Sequence, residues 1–284
     1  TSEQTDETTW SGDFLSNHDG LEYIKTNGRR VTIYDIAGNQ LDHFRTSGNA
    51  GTRTLGIGDV FPDITGQEIL VCRQDSKHAK INVYSYDEIT GEATEELSFT
   101  PFQDLVDQNI EHGCGGLNVA EVDGSEKILV TQLSGRARES VVYVYNTSGE
   151  LENQVAYSDT SSYYVSAPHF DVLDFSGDGT ADDVAIFDSP SIEVYNLSSG
   201  AEVASQDLSS INYARYNSGT FRANYSIGNI DGEVGDEIVV MYGKKCNTYI
   251  WRSTATTDLG QLYPGANRNR YYKIVIGDFS SVIE

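Results

Sequence analysis

The chain has 284 residues and carries a formal charge of −24 at neutral pH, which excludes a nucleic-acid backbone or an anionic membrane as its bulk partner. It contains no run of 18 apolar residues, so no helix of it crosses a membrane. With one Met, abundant Ser, Thr, Gly and Tyr, and no long stretch of period 3.6, the composition argues against a helical fold. The sequence begins at Thr1 without a visible signal peptide and reads as a mature or trimmed form.

Residues 1–10 are polar and acidic and read as a tail. From residue 11 onward one grammar recurs. An apolar approach leads to an acidic loop, an apolar second strand, a third strand closing on an aromatic, a turn and a last strand. In the first unit Gly12-Asp13-Phe14 leads through Glu22 to Tyr23-Ile24, then to Val31-Thr32-Ile33-Tyr34 and the turn Ala37-Gly38-Asn39. The second runs from Gly58-Asp59-Val60 through Glu68 to Ile69-Leu70-Val71, Ile81-Asn82-Val83-Tyr84 and Thr90-Gly91-Glu92. The third has a degenerate loop, Glu121-Val122-Asp123-Gly124, before Ile128-Leu129-Val130, Val142-Tyr143-Val144-Tyr145 and Ser148-Gly149-Glu150.

The fourth unit has the best loop, Asp174 to Asp182, followed by Val184-Ala185-Ile186, Ile192-Glu193-Val194-Tyr195 and Ser199-Gly200-Ala201. In the fifth, Asn229 to Glu237 precedes Ile238-Val239-Val240 and Thr248-Tyr249-Ile250-Trp251. A stump, Gly277-Asp278-Phe279, closes the chain. Repeats therefore start near 13, 59, 121, 174, 229 and 278, at intervals of roughly 50 residues. Four short antiparallel strands per repeat predict an all-β fold, a β-propeller of five complete four-stranded blades and a partial sixth. One domain is expected over 11–284. The segment from Tyr272 to Asp278 is a better inner strand than Thr8 to Asp13, so it is expected to complete the first blade or to start a further one.

The fourth loop places oxygen side chains at positions 1, 3, 5 and 9 as Asp174, Ser176, Asp178 and Asp182, with Gly179 at position 6. Alternate side chains then face one point, and hard oxygens suit calcium. The fifth repeats the spacing with Asn229, Asp231, Glu233 and Glu237 but has Val at position 6. Gly-Asp-Phe followed by such a loop and an apolar strand resembles the FG-GAP or VCBS repeat of the integrin α-chain headpiece and many secreted microbial proteins. The resemblance spans residues 11–284. It implies calcium on those eight side chains, with the position-7 carbonyls of Thr180 and Gly235 completing the shells. Family members usually have seven blades, and this chain carries five and a fraction.

Propeller geometry puts the acidic loops on one face and the blade-to-blade connectors on the other. The connectors, roughly 97–116, 155–168, 205–225 and 259–272, are rich in aromatics. Phe102 and His112 fall in the first, Tyr163 and Tyr164 in the second, Tyr213, Tyr216 and Phe221 in the third, and Tyr263, Tyr271 and Tyr272 in the fourth. Arg215, Arg222, Arg268 and Arg270 add positive charge to an acidic protein. Arg pairs bidentately with carboxylate or sulfate and Tyr stacks on sugar rings, so an acidic glycan is a fitting ligand. The bland alternatives are that the aromatics cap the blades and that the guanidiniums pair with neighbouring carboxylates.

No G-x-S-x-G elbow, phosphate-cradling loop or H-E-x-x-H motif is present. Glu111-His112-Gly113-Cys114 looks like a metal half-site without a second half and reads as a surface loop. His169 reads as packed or capping. Three cysteines, Cys72, Cys114 and Cys246, allow at most one internal disulfide, and Cys72, ending an apolar run, reads as a packed side chain. Sequons stand at Asn146, Asn196 and Asn224. The expected function is therefore an extracellular or surface-displayed, calcium-stabilised binding module for a glycan or another extracellular protein. Two alternatives remain open: a polysaccharide lyase or hydrolase domain in which Tyr164, His169 and Arg215 converge, or a structural subunit that self-assembles through its incomplete blade.

Overall fold

Runs such as Ile69-Leu70-Val71 are apolar at every position because the strands they form are covered on both faces. The computed structural model describes residues 9–12, 14–15, 18, 22–47, 52–75, 77–109, 111–133, 141–157, 169–188, 191–207, 224–230, 232, 234–242, 247–252 and 256–261. The described strands form five antiparallel sheets of four, each in chain order. The first comprises β1 (Thr9–Gly12), β2 (Glu22–Asn27), β3 (Arg30–Asp35) and β4 (Gln40–Arg45). The second comprises β5 (Thr52–Gly58), β6 (Glu68–Asp75), β7 (His78–Asp87) and β8 (Glu92–Phe99). A five-residue helix, α1 (Gln103–Asp107), precedes β9 (Gly113–Val122), β10 (Ser125–Leu133), β11 (Val141–Tyr145) and β12 (Leu151–Ala156). The fourth sheet is β13 (His169–Leu173), β14 (Asp183–Asp188), β15 (Ser191–Asn196) and β16 (Glu202–Asp207). The fifth is β17 (Asn224–Gly228), β18 (Glu237–Tyr242), β19 (Asn247–Trp251) and β20 (Thr256–Gln261).

The chain divides into two compact units. The first runs to Tyr157 and holds the first three sheets, and the second, from Phe170 onward, holds the rest. Within the first unit, successive side chains of β6 alternate between two cores. Ile69 and Val71 pack with Ile24, Ile33 and Phe44 of the first sheet. Leu70 and Cys72 pack with Leu117, Ile128 and Val130 of the third. Each such fully buried side chain contributes about 1.5–3 kcal/mol. In the second unit, Leu173, Phe175, Ala185 and Val194 make the same kind of core with Ile238, Val240 and Trp251.

The aromatic ending each third strand holds one register throughout. Tyr34 pairs with Tyr23, Tyr84 with Ile69, Tyr145 with Ile128, Tyr195 with Val184 and Trp251 with Ile238. In the first four sheets a bulge towards the last strand falls directly before that tyrosine. Two of the hydroxyls hold the chain entering their sheet. Tyr84 accepts the N–H of Ser47 at 2.9 Å, and Tyr145 accepts that of Phe102 at 2.9 Å.

Several expectations change. Thr9 and Trp10 belong to β1, which occupies the place beside β2 in the first sheet. Residues 272–278, expected to complete that sheet or to start a further one, lie outside the described residues. The degenerate third loop is a two-residue turn, with Asp123 at φ 51° and Gly124 at φ 73°, the left-handed pair that a tight hairpin requires. Cys72 is not merely packed. It forms a disulfide with Cys114, 42 positions away, with Cα atoms 6.2 Å apart, joining β6 to β9. Glu111 is exposed, but His112 is buried and Gly113 and Cys114 begin β9, so the surface-loop reading of that segment does not hold. Phe102 is only 2% exposed and meets the Tyr143 ring edge-on, so this connector's aromatics cap the core.

Candidate acidic-loop site and ligand groove

The loop between β13 and β14 is organised by the carboxylate of Asp174. Its Oδ1 accepts the N–H groups of Gly177 at 2.8 Å and Asp178 at 3.1 Å, and its Oδ2 that of Gly179 at 2.9 Å. Asp178 in turn accepts the Thr180 N–H at 2.9 Å. Asp182 Oδ2 accepts from the Asn196 side-chain amide at 3.1 Å, which engages the nitrogen that a glycan at this sequon would need. Its Oδ1 is buried without a hydrogen-bond partner. Among the described residues no Lys or Arg pairs with Asp174, Asp178 or Asp182. Nor do three His, Cys, Asp or Glu side chains meet as a metal-holding group among them. The donors fit a hard cation in chemistry and in their uncompensated charge, while the Asp174 oxygens are held by the loop's own amides.

The neighbouring loop, between β17 and β18, is joined to this one. Asp236 Oδ2 accepts the Asp174 N–H at 2.9 Å, and the Asp174 carbonyl accepts the Asp236 N–H at 2.6 Å. A Cβ on Gly235 would lie 3.2 Å from the Asp174 carbonyl oxygen and from the Gly177 Cα, and its φ is 102°. Only glycine fits there. Of this loop's expected ligands, Asn229 is exposed and accepts the Gly232 N–H at 2.7 Å, whereas Asp231 and Glu233 lie outside the described residues. Glu237 opens β18 and is 4% exposed, with its Oε2 accepting the Ile230 N–H at 2.8 Å and Arg252 Nε 3.5 Å from its Oε1.

Glu237 belongs to a set that the loop spacing does not reveal. Glu22 accepts the N–H groups of Phe14 and Leu15, Glu68 those of Val60 and Phe61, and Asp183 that of Ser176. All four acids are at most 4% exposed, and each starts the second strand of its sheet. Burial pushes the carboxyls of Glu68 and Asp183 above the usual carboxylate range, against the opposing pull of the loop N–H groups. A legible signal exists for them: an acid placed directly before each apolar run.

Of the other expected ligand-binding residues, Tyr163, Tyr164, Tyr213, Arg215, Tyr216, Arg222, Arg268, Arg270 and Tyr271 lie outside the described residues. A different surface emerges on the first sheet. A shallow groove is lined by Lys25, Asn27, Arg30, Thr32, Tyr34 and Gln40. Tyr34 stacks on Tyr23 with ring centres 4.8 Å apart and planes 8° from parallel, which stiffens it. Arg30 Nη2 reaches Gln40 Oε1 at 3.4 Å. The groove draws alternate residues from three strands, so no contiguous motif announces it.

No protein-family model matches the chain, and no curated protein matches it in sequence. Solved structures do. A chain of the mitotic checkpoint complex is 15% identical, with TM-score 0.53, over 94% of this chain and 71% of that one. The WD40 domain of Pan2 from Neurospora crassa is 11% identical, with TM-score 0.52, over 89% and 65%. A protein of unknown function from Bacteroides caccae is 15% identical, with TM-score 0.49, over 85% and 77%. The first two establish an all-β architecture of four-stranded antiparallel sheets similar to that of WD40 propellers.

Proposed function

We propose that this chain is an extracellular, calcium-stabilised propeller module of the FG-GAP type that recognises an acidic glycan. The reading rests on the first-sheet groove. It gathers two cations, a stiffened tyrosine and several hydroxyl and amide groups on a protein whose net charge is −24. Arg pairs with a uronate or sulfate, Tyr offers an apolar ring face, and Thr, Asn and Gln match sugar hydroxyls. The overall negative charge does not forbid this, since at physiological salt charges beyond about 8 Å are largely screened.

The Cys72–Cys114 disulfide supports an oxidising compartment. Calcium would be held by Asp174, Ser176, Asp178 and Asp182 with the Thr180 carbonyl, and would neutralise carboxylates that no described basic side chain compensates. Its role is structural, holding the two joined loops of the second unit. The consecutive sheets are the blades, and their ring closure belongs to the same proposal. An array of neutral, uronate-bearing and sulfated glycans, probed with and without calcium, tests the reading. Binding confined to the anionic glycans and lost in Arg30→Ala and Tyr34→Ala is the expected result. Equal binding of those variants, or no anionic preference, would overturn it.

A further inference from the structure

The segment Glu111-His112-Gly113-Cys114 offers half of a metal site, and the fold brings a second half from another sheet. Cys114 is consumed by the disulfide, but His78, at the start of β7, faces His112. Their Nδ1 atoms are 3.5 Å apart, and the ring centres are 5.0 Å apart with planes tilted by 41°. We propose that His78 and His112 are the two protein ligands of a site for a borderline divalent transition metal, zinc foremost, with water completing the shell.

Geometry supports this twice. Two imidazoles on one tetrahedral zinc, each about 2.0–2.1 Å from the metal, hold their nitrogens roughly 3.4 Å apart and their ring centres roughly 5 Å apart. Both separations match without rearrangement of the backbone. The rings are also held in place beforehand. His112 is 1% exposed, meets Phe102 edge-on at 5.4 Å and donates its backbone N–H to the Lys77 carbonyl at 2.9 Å. Gln74 donates to Glu111 at 3.1 Å, and the Cys72–Cys114 bridge ties β6 to β9 two residues beyond His112. These contacts fix where the two rings stand before an ion arrives.

Ligand chemistry separates this site from the acidic loops. Imidazole suits zinc, copper and nickel, whereas calcium takes oxygen. The competing account is a plain hydrogen bond, in which one Nδ1 carries a proton and the other accepts it. Metal binding instead requires both Nδ1 lone pairs to point at one ion.

The test is calorimetric titration of zinc into the whole chain, in millimolar calcium so that the acidic loops are occupied, with copper(II) as a spectroscopic probe. One zinc per chain is expected. His78→Gln should weaken it by about tenfold or more, since losing a ligand costs at least what losing its support does. Copper should show hyperfine coupling to two ring nitrogens. His78 is the safer position to change because it is half-buried, and metal-free melting of His78→Gln should follow the wild type. No zinc heat, undiminished binding by a folded His78→Gln, or copper bound by oxygen alone would overturn the proposal.

Discussion

Glu68 shows how one side chain holds an acidic loop. Its carboxylate is 1% exposed and accepts the N–H groups of Val60 and Phe61 at 2.7 and 3.1 Å. Glu68→Ala leaves both N–H groups without that acceptor, at a cost of about 2–4 kcal/mol. Glu68→Gln keeps an acceptor oxygen and removes the buried charge, so it should be neutral or stabilising at pH 7. Burial raises the folded-state pKa, so the folded state binds the proton more tightly than the unfolded one. Stability from this group is present at acid pH and declines as pH rises through that raised value. Denaturant midpoints of wild type and Glu68→Gln should therefore diverge from acid to neutral pH, with the wild type losing ground. Parallel midpoints would show that the N–H groups fully compensate the charge. None of this was legible from loop spacing, which treats every loop acid as a ligand. Glu237, at position 9 by spacing, is also the buried acid that starts the second strand of its sheet.

Strands, in contrast, were readable because their signal repeats. Five copies of an apolar run followed by an aromatic-ended strand fix both strand order and register, and Tyr34, Tyr84, Tyr145, Tyr195 and Trp251 do occupy equivalent positions. What joins one sheet to the next was not readable, because it depends on single residues far apart in sequence. Three cysteines allow three pairings, and the pair that forms is 42 positions apart. With Cys72 and Cys114 bridged, the denatured, unreduced chain should expose one thiol, that of Cys246, and a count of three would refute the bridge. Removing it through Cys72→Ser and Cys114→Ser should destabilise the fold by about 4 kcal/mol on the loop-entropy estimate. Tyr145 makes a second kind of joint. Its hydroxyl, with a pKa pushed up to about 12 by burial, accepts the Phe102 N–H. Tyr145→Phe leaves that N–H of the buried Phe102 without its acceptor, a loss of about 1–3 kcal/mol visible as a lower melting temperature with the far-ultraviolet spectrum unchanged.

Taken across the chain, the repeats make a succession of four-stranded sheets that share cores with their neighbours inside each unit. Asp174, Asp178 and Asp182 put three like charges on one nine-residue loop, with no described Lys or Arg paired to them. The amides around Asp174 offset part of this, and Asp182 keeps a buried oxygen with no hydrogen-bond partner. A cation bound only in the folded state should therefore stabilise the second unit. Through the Asp174–Asp236 joint, its effect should extend to the fifth sheet. Thermal melts in EDTA and in calcium are the most direct test. At calcium near a hundred times its dissociation constant, a gain of about 2.7 kcal/mol is expected. Most of that gain should vanish in Asp178→Ala. Superimposable melts with and without calcium would contradict the account and leave the 174–182 loop as an acidic turn held by its own amides.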